Sequence, residues 1–231
     1  MELKKEIIDR NYNEILENVK KYSPYPEKVK ILFVSKYFNV EEHKQIVDMG
    51  YRYFGENRAQ LYRDKLAYFN EIRDKNSKNL TWDFIGRLQK NKIKYIIESV
   101  NLIHSIDSYE LLYEIDKKAK ENNKKIQGLI QLNVSKEESK TGIYIEDFKK
   151  DFEKYFNCSN VEIKGFMTMA PLDATKQELE KYFTKMYNLK KECSKKYTNL
   201  TELSMGMSND YIEALKNGAT IIRIGTKLFE S

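Results

Sequence analysis

The sequence predicts an α/β protein, a single closed (β/α)8 barrel with one extra helix in front, and three features of its 231 residues support this. Eight short apolar runs of strand length recur along the chain, stretches of helical period separate most of them, and the unusual polar residues collect at or just past the C-terminal ends of the runs. Such alternation demands parallel strands, because each helix returns the chain to the edge from which the strand began. Eight repeats without a long central interruption favour a closed barrel over an open doubly wound sheet. An open sheet would usually carry a Gly-rich turn after its first strand, where this chain has Ser35-Lys36-Tyr37. One domain over residues 1–231 is the expected organisation, since a lone barrel commonly has this length.

Met1 to Lys21 carries Ile7, Ile8, Ile15, Leu16 and Val19 between charges, the pattern of an amphipathic helix and not of an uninterrupted signal-peptide core. The first strand run is Val29 to Ser35, followed by helical period over Val40 to Met49. Tyr51 to Gly55 precedes a helical stretch from Arg58 to Asp74. Trp82 to Gly86 leads into the shorter connection Gln89 to Glu98, which has room for a helix of a few turns. Asn101 to Ser105 is followed by Ser108 to Glu121, Ile126 to Val134 by Ile145 to Tyr155, and Val161 to Met169 by Lys176 to Lys195. Thr201 to Met205 then connects through Asp210 to Lys216, again short, with the last run, Thr220 to Ile224.

The composition, 41% hydrophobic and 33% charged with 9 Gly and 3 Pro, is that of an ordinary globular chain with few flexible joints. The net charge of +6 comes from lysines scattered among acids along helices. Without a basic-aromatic recognition motif, that pattern reads as a solvated surface, and no nucleic-acid partner is expected. Cys158 and Cys193 lack metal-ligand spacing and argue against zinc or a disulfide framework. A reducing cytoplasm fits, and no run approaches the length of a membrane span, so no membrane partner is expected.

In a barrel, the C-terminal ends of the strands form one face, the face that carries active sites. Here that face holds Lys36, Glu56, Asn57, Gly86, Ser105, Asp107, Asn133, Ser135, Met167, Thr168, Ser204 to Met207 and Arg223 to Thr226. A lysine that ends a buried strand is badly placed for solubility and well placed for carbonyl chemistry. Ser204-Met205-Gly206-Met207-Ser208 and Arg223-Ile224-Gly225-Thr226, after the last two strands, resemble a phosphate cradle, with Ser204, Gly225 and Thr226 as the expected contacts. Gly206 and Gly225 could equally serve tight turns alone. Arg223 needs a partner, which an aromatic nitrogen, a phosphate or a carboxylate such as Glu56 would supply. Lysine, cradle and arginine together suit pyridoxal 5'-phosphate (PLP), whose aldehyde, phosphate and pyridine nitrogen match them in turn. An arginine, unlike an aspartate, does not favour a protonated ring nitrogen and so weakens the cofactor as an electron sink.

Linked motifs run through nearly the whole chain: Val34-Ser35-Lys36, Phe54-Gly55-Glu56-Asn57-Arg58-Ala59-Gln60, Trp82-Asp83-Phe84-Ile85-Gly86-Arg87-Leu88-Gln89-Lys90-Asn91-Lys92, and Ile103-His104-Ser105-Ile106-Asp107. Gln131-Leu132-Asn133-Val134, Lys140-Thr141-Gly142, Gly165-Phe166-Met167-Thr168-Met169 and the two segments of the cradle continue the series. With these motifs the chain resembles the PLP homeostasis proteins, whose fold is similar to the barrel domain of alanine racemase. The resemblance implies that Lys36 holds PLP as a Schiff base, that Asn57 and Met205 lie close to it, that Ser204, Gly225 and Thr226 hold the phosphate, and that Arg223 faces the pyridine nitrogen. It also implies a part in intracellular vitamin B6 balance without an established reaction. Asp83 stands where that family usually has His, and the chain stops at Phe229-Glu230-Ser231 without the customary Gly and Arg; neither departure is expected to touch the ligand shell.

The leading functional expectation is therefore a noncatalytic PLP-binding protein, with PLP-requiring apoenzymes as possible recipients and a monomer as its form. The alternative is an enzyme of the same barrel, a PLP-dependent racemase or decarboxylase or a Schiff-base aldolase. A racemase needs a second base on the opposite ring face, and this length leaves no room for the further β-domain that supplies it. The remaining features read as structure. His104 and His43 give no metal centre, and the Met167, Met169, Met205, Met207 group reads as adaptable packing. Lys140-Thr141-Gly142 lacks the Ser-x-x-Lys that a hydrolase would need. Lys136 to Lys140 is a charged loop on the ligand face that could act as a lid.

Overall fold

The computed structural model describes residues 3–72, 79–138 and 140–231. Its strands, in chain order, are β1 (Lys30–Val34), β2 (Tyr53–Glu56), β3 (Thr81–Phe84), β4 (Leu102–Ile106), β5 (Ile126–Asn133), β6 (Ile143–Tyr144), β7 (Val161–Met167), β8 (Glu202–Met207) and β9 (Ile221–Ile224). All neighbours pair in parallel in the order β4-β3-β2-β1-β9-β8-β7-β5, and a β4–β5 pairing closes the ring. β6, which the sequence did not announce, pairs with the end of β5 outside that ring. The expected (β/α)8 barrel is therefore present, with its extra helix.

Strand pleating sorts the core into two sides. Leu32, Leu102, Leu129, Met167 and Ile221 form a cluster of their own with Tyr53, Ile85 and Met169. Their strand neighbours Phe33, Ile103, Ile130, Phe166 and Ile222 belong to the larger cluster shared with the helices.

The helices are α1 (Lys5–Tyr22), α2 (Val40–Asp48), α3 (Ala59–Ile72), α4 (Tyr109–Glu121), α5 (Ile145–Lys150), α6 (Lys176–Cys193) and α7 (Tyr211–Lys216). Capping boxes start α2 and α6, where Asn39 and Thr175 exchange hydrogen bonds with Glu42 and Glu178. α1 buries Ile8, Asn11, Ile15 and Val19 on one stripe. Asn11 Nδ2 donates to the carbonyls of Lys227, Leu228 and Glu230 at 3.0, 3.3 and 2.7 Å, tying the extra helix to the end of the chain. Met1 and Asp74, at the ends of two expected helices, lie outside the described residues.

Two connections differ from expectation. Gln89 to Glu98 holds a 3-10 segment, Lys90–Tyr95, instead of α-helical turns. The stretch Ile145 to Tyr155 breaks at Asp151, where φ of −136° ends α5 before a 3-10 segment, Phe152–Phe156.

His43 on α2 is fully buried, stacked on Trp82 at 4.6 Å, and its ring nitrogens find no hydrogen-bond partner among the described residues. Replacement by leucine removes unpaired polar atoms and is expected to stabilise the fold by about 1 kcal/mol. Burial holds the pKa values of both His43 and His104 below the ordinary histidine value. Below about pH 6.5 the unfolded chain binds protons that the folded protein refuses, so stability falls as pH falls, until the folded-state pKa is passed. Each histidine contributes up to about 1.4 kcal/mol per pH unit in that window. Urea unfolding across it should give a shallower slope for His43→Leu than for wild type. The carboxyls, among them Asp107 and Asp210 with pKa values raised by burial, titrate alike in both and cancel. An unchanged slope would show that His43 is charged in the fold.

Candidate functional site

A cavity of about 470 Å³ opens at the C-terminal ends of the strands. Its wall brings together Lys36 after β1, Asn57 after β2, Gly86 after β3, Arg223 on β9, and Gly225 and Thr226 just beyond. Five of the seven residues expected at the site thus converge from sequence positions as distant as 36 and 226.

Lys36 is half-buried, with its Nζ 4.7 Å from the centre of the Tyr37 ring. The backbone before it is held by a group that sequence reasoning missed. Lys65 on α3, 1% exposed, donates from Nζ to the Ser35 carbonyl at 2.8 Å and to Glu56 Oε2 at 2.6 Å. Glu56 is also fully buried, and its Oε1 accepts from the backbone N–H groups of Asn57 at 2.8 Å and Arg58 at 3.4 Å. One ion pair therefore fixes both the loop that carries Lys36 and the loop that carries Asn57. Burial lowers the Lys65 pKa against the opposing pull of Glu56. The ion pair considered for Glu56 and Arg223 does not form, because Glu56 is taken by Lys65.

Asn57 Oδ1 is buried at the cavity with no hydrogen-bond partner among the described residues. Such an orphaned acceptor is suited to a polar ligand. Gly86 packs against this segment so closely that a Cβ there would lie 1.9 Å from the Asn57 carbonyl oxygen. Gly86→Ala is therefore expected to displace the Asn57 segment and cost more than about 2 kcal/mol. A urea midpoint equal to wild type would refute the contact.

The two glycines of the cradle separate in role. Gly206 has φ of +91°, and a Cβ would fall 2.6 Å from that of Ala214, so the turn after β8 requires glycine. At Gly225 a Cβ would meet Val34 at 3.5 Å, an ordinary contact, so packing within the protein does not demand glycine there. A bare backbone at the cavity wall suits the close approach of a ligand's oxygens. Ser208 stands beside it, and its Oγ accepts from the N–H groups of Gly225 and Lys227, each at 3.4 Å.

Ser204 and Met205 do not reach the cavity wall. Met205 belongs to the core shared with the helices, while Ser204, one residue earlier and on the opposite side of the strand, is fully buried. Its Oγ lies 2.9 Å from His104 Nδ1 and accepts from Arg223 Nη1 at 2.7 Å. His104 Nε2 lies 3.0 Å from Asp83 Oδ2, which also accepts from the Tyr53 hydroxyl, and Asn101 Nδ2 donates to Asp83 Oδ1 at 2.7 Å. Asp83 does not line the cavity, as expected, but His104 and Ser204 link it to Arg223, which does. Arg223 also donates from Nη2 to the Thr168 carbonyl at 2.9 Å, and burial lowers its pKa to about 10.

In the charged loop, Asn133 Nδ2 donates to the carbonyls of Glu137 at 2.8 Å and Lys140 at 3.2 Å. The described residues of Lys136 to Lys140 do not line the cavity, whereas Gln131 and Thr141 do; Ser139 lies outside the described residues. No group of metal-ligating side chains occurs among the described residues, and no described helix is long and apolar enough to cross a membrane.

Residues 11–231 match the alanine racemase N-terminal domain family. A pyridoxal phosphate homeostasis protein of Aquifex aeolicus is 40% identical over 201 residues, 87% of this chain and 86% of that protein. One from Synechocystis is 35% identical over 219 residues, 94% of this chain and 95% of the other. Among solved structures, PipY of Synechococcus elongatus with PLP bound matches at 32% identity with a TM-score of 0.79, over 94% of this chain and 100% of its own. The same protein without PLP gives 0.82 and covers 99% of its chain. Alanine racemase of Clostridium difficile, 17% identical with a TM-score of 0.69 over 98% of this chain and 57% of its own, shares the fold.

Proposed function

The chain belongs to the pyridoxal phosphate homeostasis proteins, and on that premise we propose that it binds PLP in the strand-end cavity, joined as a Schiff base to Lys36 Nζ and without catalytic turnover. The observation that carries this reading is the convergence of Lys36, Asn57, Arg223, Gly225 and Thr226 on one cavity. Lys36 provides the amine, and Gly225 and Thr226, with Ser208 in place of Ser204, hold the phosphate. Arg223 donates to the ring nitrogen, and Asn57 supplies its unpaired oxygen to a polar group of the ligand. When bound, the cofactor supplies an aldehyde with which the lysine amine condenses, releasing water.

The titratable side chains of the cavity wall are Lys36, Tyr37, Arg87, Asp210 and Arg223 among the described residues. Tyr37 sits on the same strand end as Lys36, and Asp210 is engaged with the Met207 N–H at 2.5 Å. The reading without turnover assigns neither side chain a proton-transfer role: the Asp210 carboxylate holds its own turn through that bond, and Tyr37 is the neighbour of Lys36 in the chain. Handover to PLP-requiring apoenzymes, a monomeric state and a cytoplasmic location belong to the same proposal.

The test is the visible absorption spectrum of the purified protein with added PLP, followed by borohydride reduction and peptide mapping. A band whose label maps to Lys36 supports the reading; no band, or a label spread over surface lysines, overturns it. Arg223→Ala is expected to weaken PLP retention by about tenfold or more, measured by dialysis. Turnover of amino acids that disappears in Lys36→Ala would replace the binding role with an enzymatic one.

A further inference from the structure

We infer that Asp83 and His104 are positioning residues for Arg223: together they set the direction of the Ser204 hydroxyl, and that hydroxyl holds the guanidinium against the cavity. The ligand readouts of this inference rest on the PLP reading above, while its protonation pattern belongs to the unliganded protein.

Arg223 is 4% exposed and has no carboxylate at ion-pair distance among the described residues. Two neutral oxygens anchor it, Ser204 Oγ at 2.7 Å and the Thr168 carbonyl at 2.9 Å. A guanidinium can only donate, so Ser204 Oγ accepts from it. The second lone pair of Ser204 can also take an Nδ1–H, so the Asp83 side decides: Nε2 faces an acceptor-only carboxylate and must donate, and in the neutral ring Nδ1, at 2.9 Å, is left to accept the Ser204 hydroxyl proton. The imidazole hydrogen consequently sits on Nε2 and donates to Asp83 Oδ2 at 3.0 Å. A carboxylate can only accept, so every bond in the chain has one donor and one acceptor.

The opposite tautomer fails on the same geometry. It would set a lone pair of Nε2 against the carboxylate and leave the hydroxyl proton of Ser204 without this acceptor. Asp83 is in turn held from the far side by the Tyr53 hydroxyl and by Asn101 Nδ2 at 2.7 Å. The carboxylate therefore selects the tautomer, the tautomer selects the hydroxyl direction, and the hydroxyl presents a lone pair to Arg223. Hydrogen bonds aligned in one direction polarise one another and strengthen the last of the series. Two of the five N–H groups of Arg223 are used by its anchors, which leaves donors for what enters the cavity.

The first measurement is the ¹⁵N NMR of the histidines in the unliganded protein at neutral pH. His104 with a proton on Nε2 and none on Nδ1 is the expected result, and Nδ1–H or the doubly protonated ring overturns the inference. The second is a double-mutant cycle on the PLP dissociation constant. Ser204→Ala and Asp83→Asn should each weaken binding by about tenfold. Adding Asp83→Asn to Ser204→Ala should bring little further loss, because the link is already cut, whereas two losses that multiply would assign Asp83 a merely structural role. Ser204→Thr, which keeps the hydroxyl, should restore most of the affinity; rescue no better than alanine overturns the inference and serves as the test if Asp83→Asn does not fold. Failure of the wild type to bind PLP would refute the proposed function, with the tautomer still deciding this point.

Discussion

Lys65→Met is expected to destabilise the protein by about 3–5 kcal/mol, because it leaves the Glu56 carboxylate buried without its cation. Both side chains are sealed from water, with Nζ and Oε2 at 2.6 Å. The methionine chain fills similar volume, so the effect reports charge and not a cavity. Urea unfolding measures it, and a loss below about 1 kcal/mol would mean that Glu56 is protonated or solvated in the fold. Glu56→Gln added to Lys65→Met should recover part of the loss, since a neutral amide tolerates burial better than a lone carboxylate. Because the same pair holds the Ser35 carbonyl and the Asn57 N–H, folded Lys65→Met protein is also expected to bind PLP more weakly.

Lys36→Ala should abolish the borohydride-trapped adduct while leaving weaker, noncovalent binding. The substitution leaves Ser208, Gly225, Thr226 and the donors of Arg223 at the cavity, so in the proposed binding mode the phosphate and ring would keep their contacts. Spectral titration together with equilibrium dialysis separates the two contributions. A variant that still forms the reducible species with an unchanged spectrum would remove Lys36 from its assigned role.

The residues missed at the site had partial signals. Lys65 occupies the buried stripe of α3 with Tyr62 and Phe69, three and four residues away, so helical period places it inward. A lysine at such a position ordinarily reads as surface, and its partner Glu56 lies on a different element. Asp83 sits between Trp82 and Phe84 on β3, and strand alternation sends it to the side opposite those two core residues. Nothing local could pair it with His104, which meets it only when β3 and β4 are placed side by side. That Ser208 and not Ser204 lines the cavity follows from the pleat of β8 and the turn at Gly206, which are invisible until the strand's register is known.

By itself the sequence determined the eight strand runs, their parallel direction and the face on which Lys36, Asn57, Arg223, Gly225 and Thr226 lie, because hydrophobic period and strand polarity are local properties. The tertiary structure alone decided which side chains meet inside the barrel. The Glu56–Lys65 pair and the series from Asp83 to Arg223 join groups from different strands and helices, and desolvation by the closed ring is what makes those meetings specific.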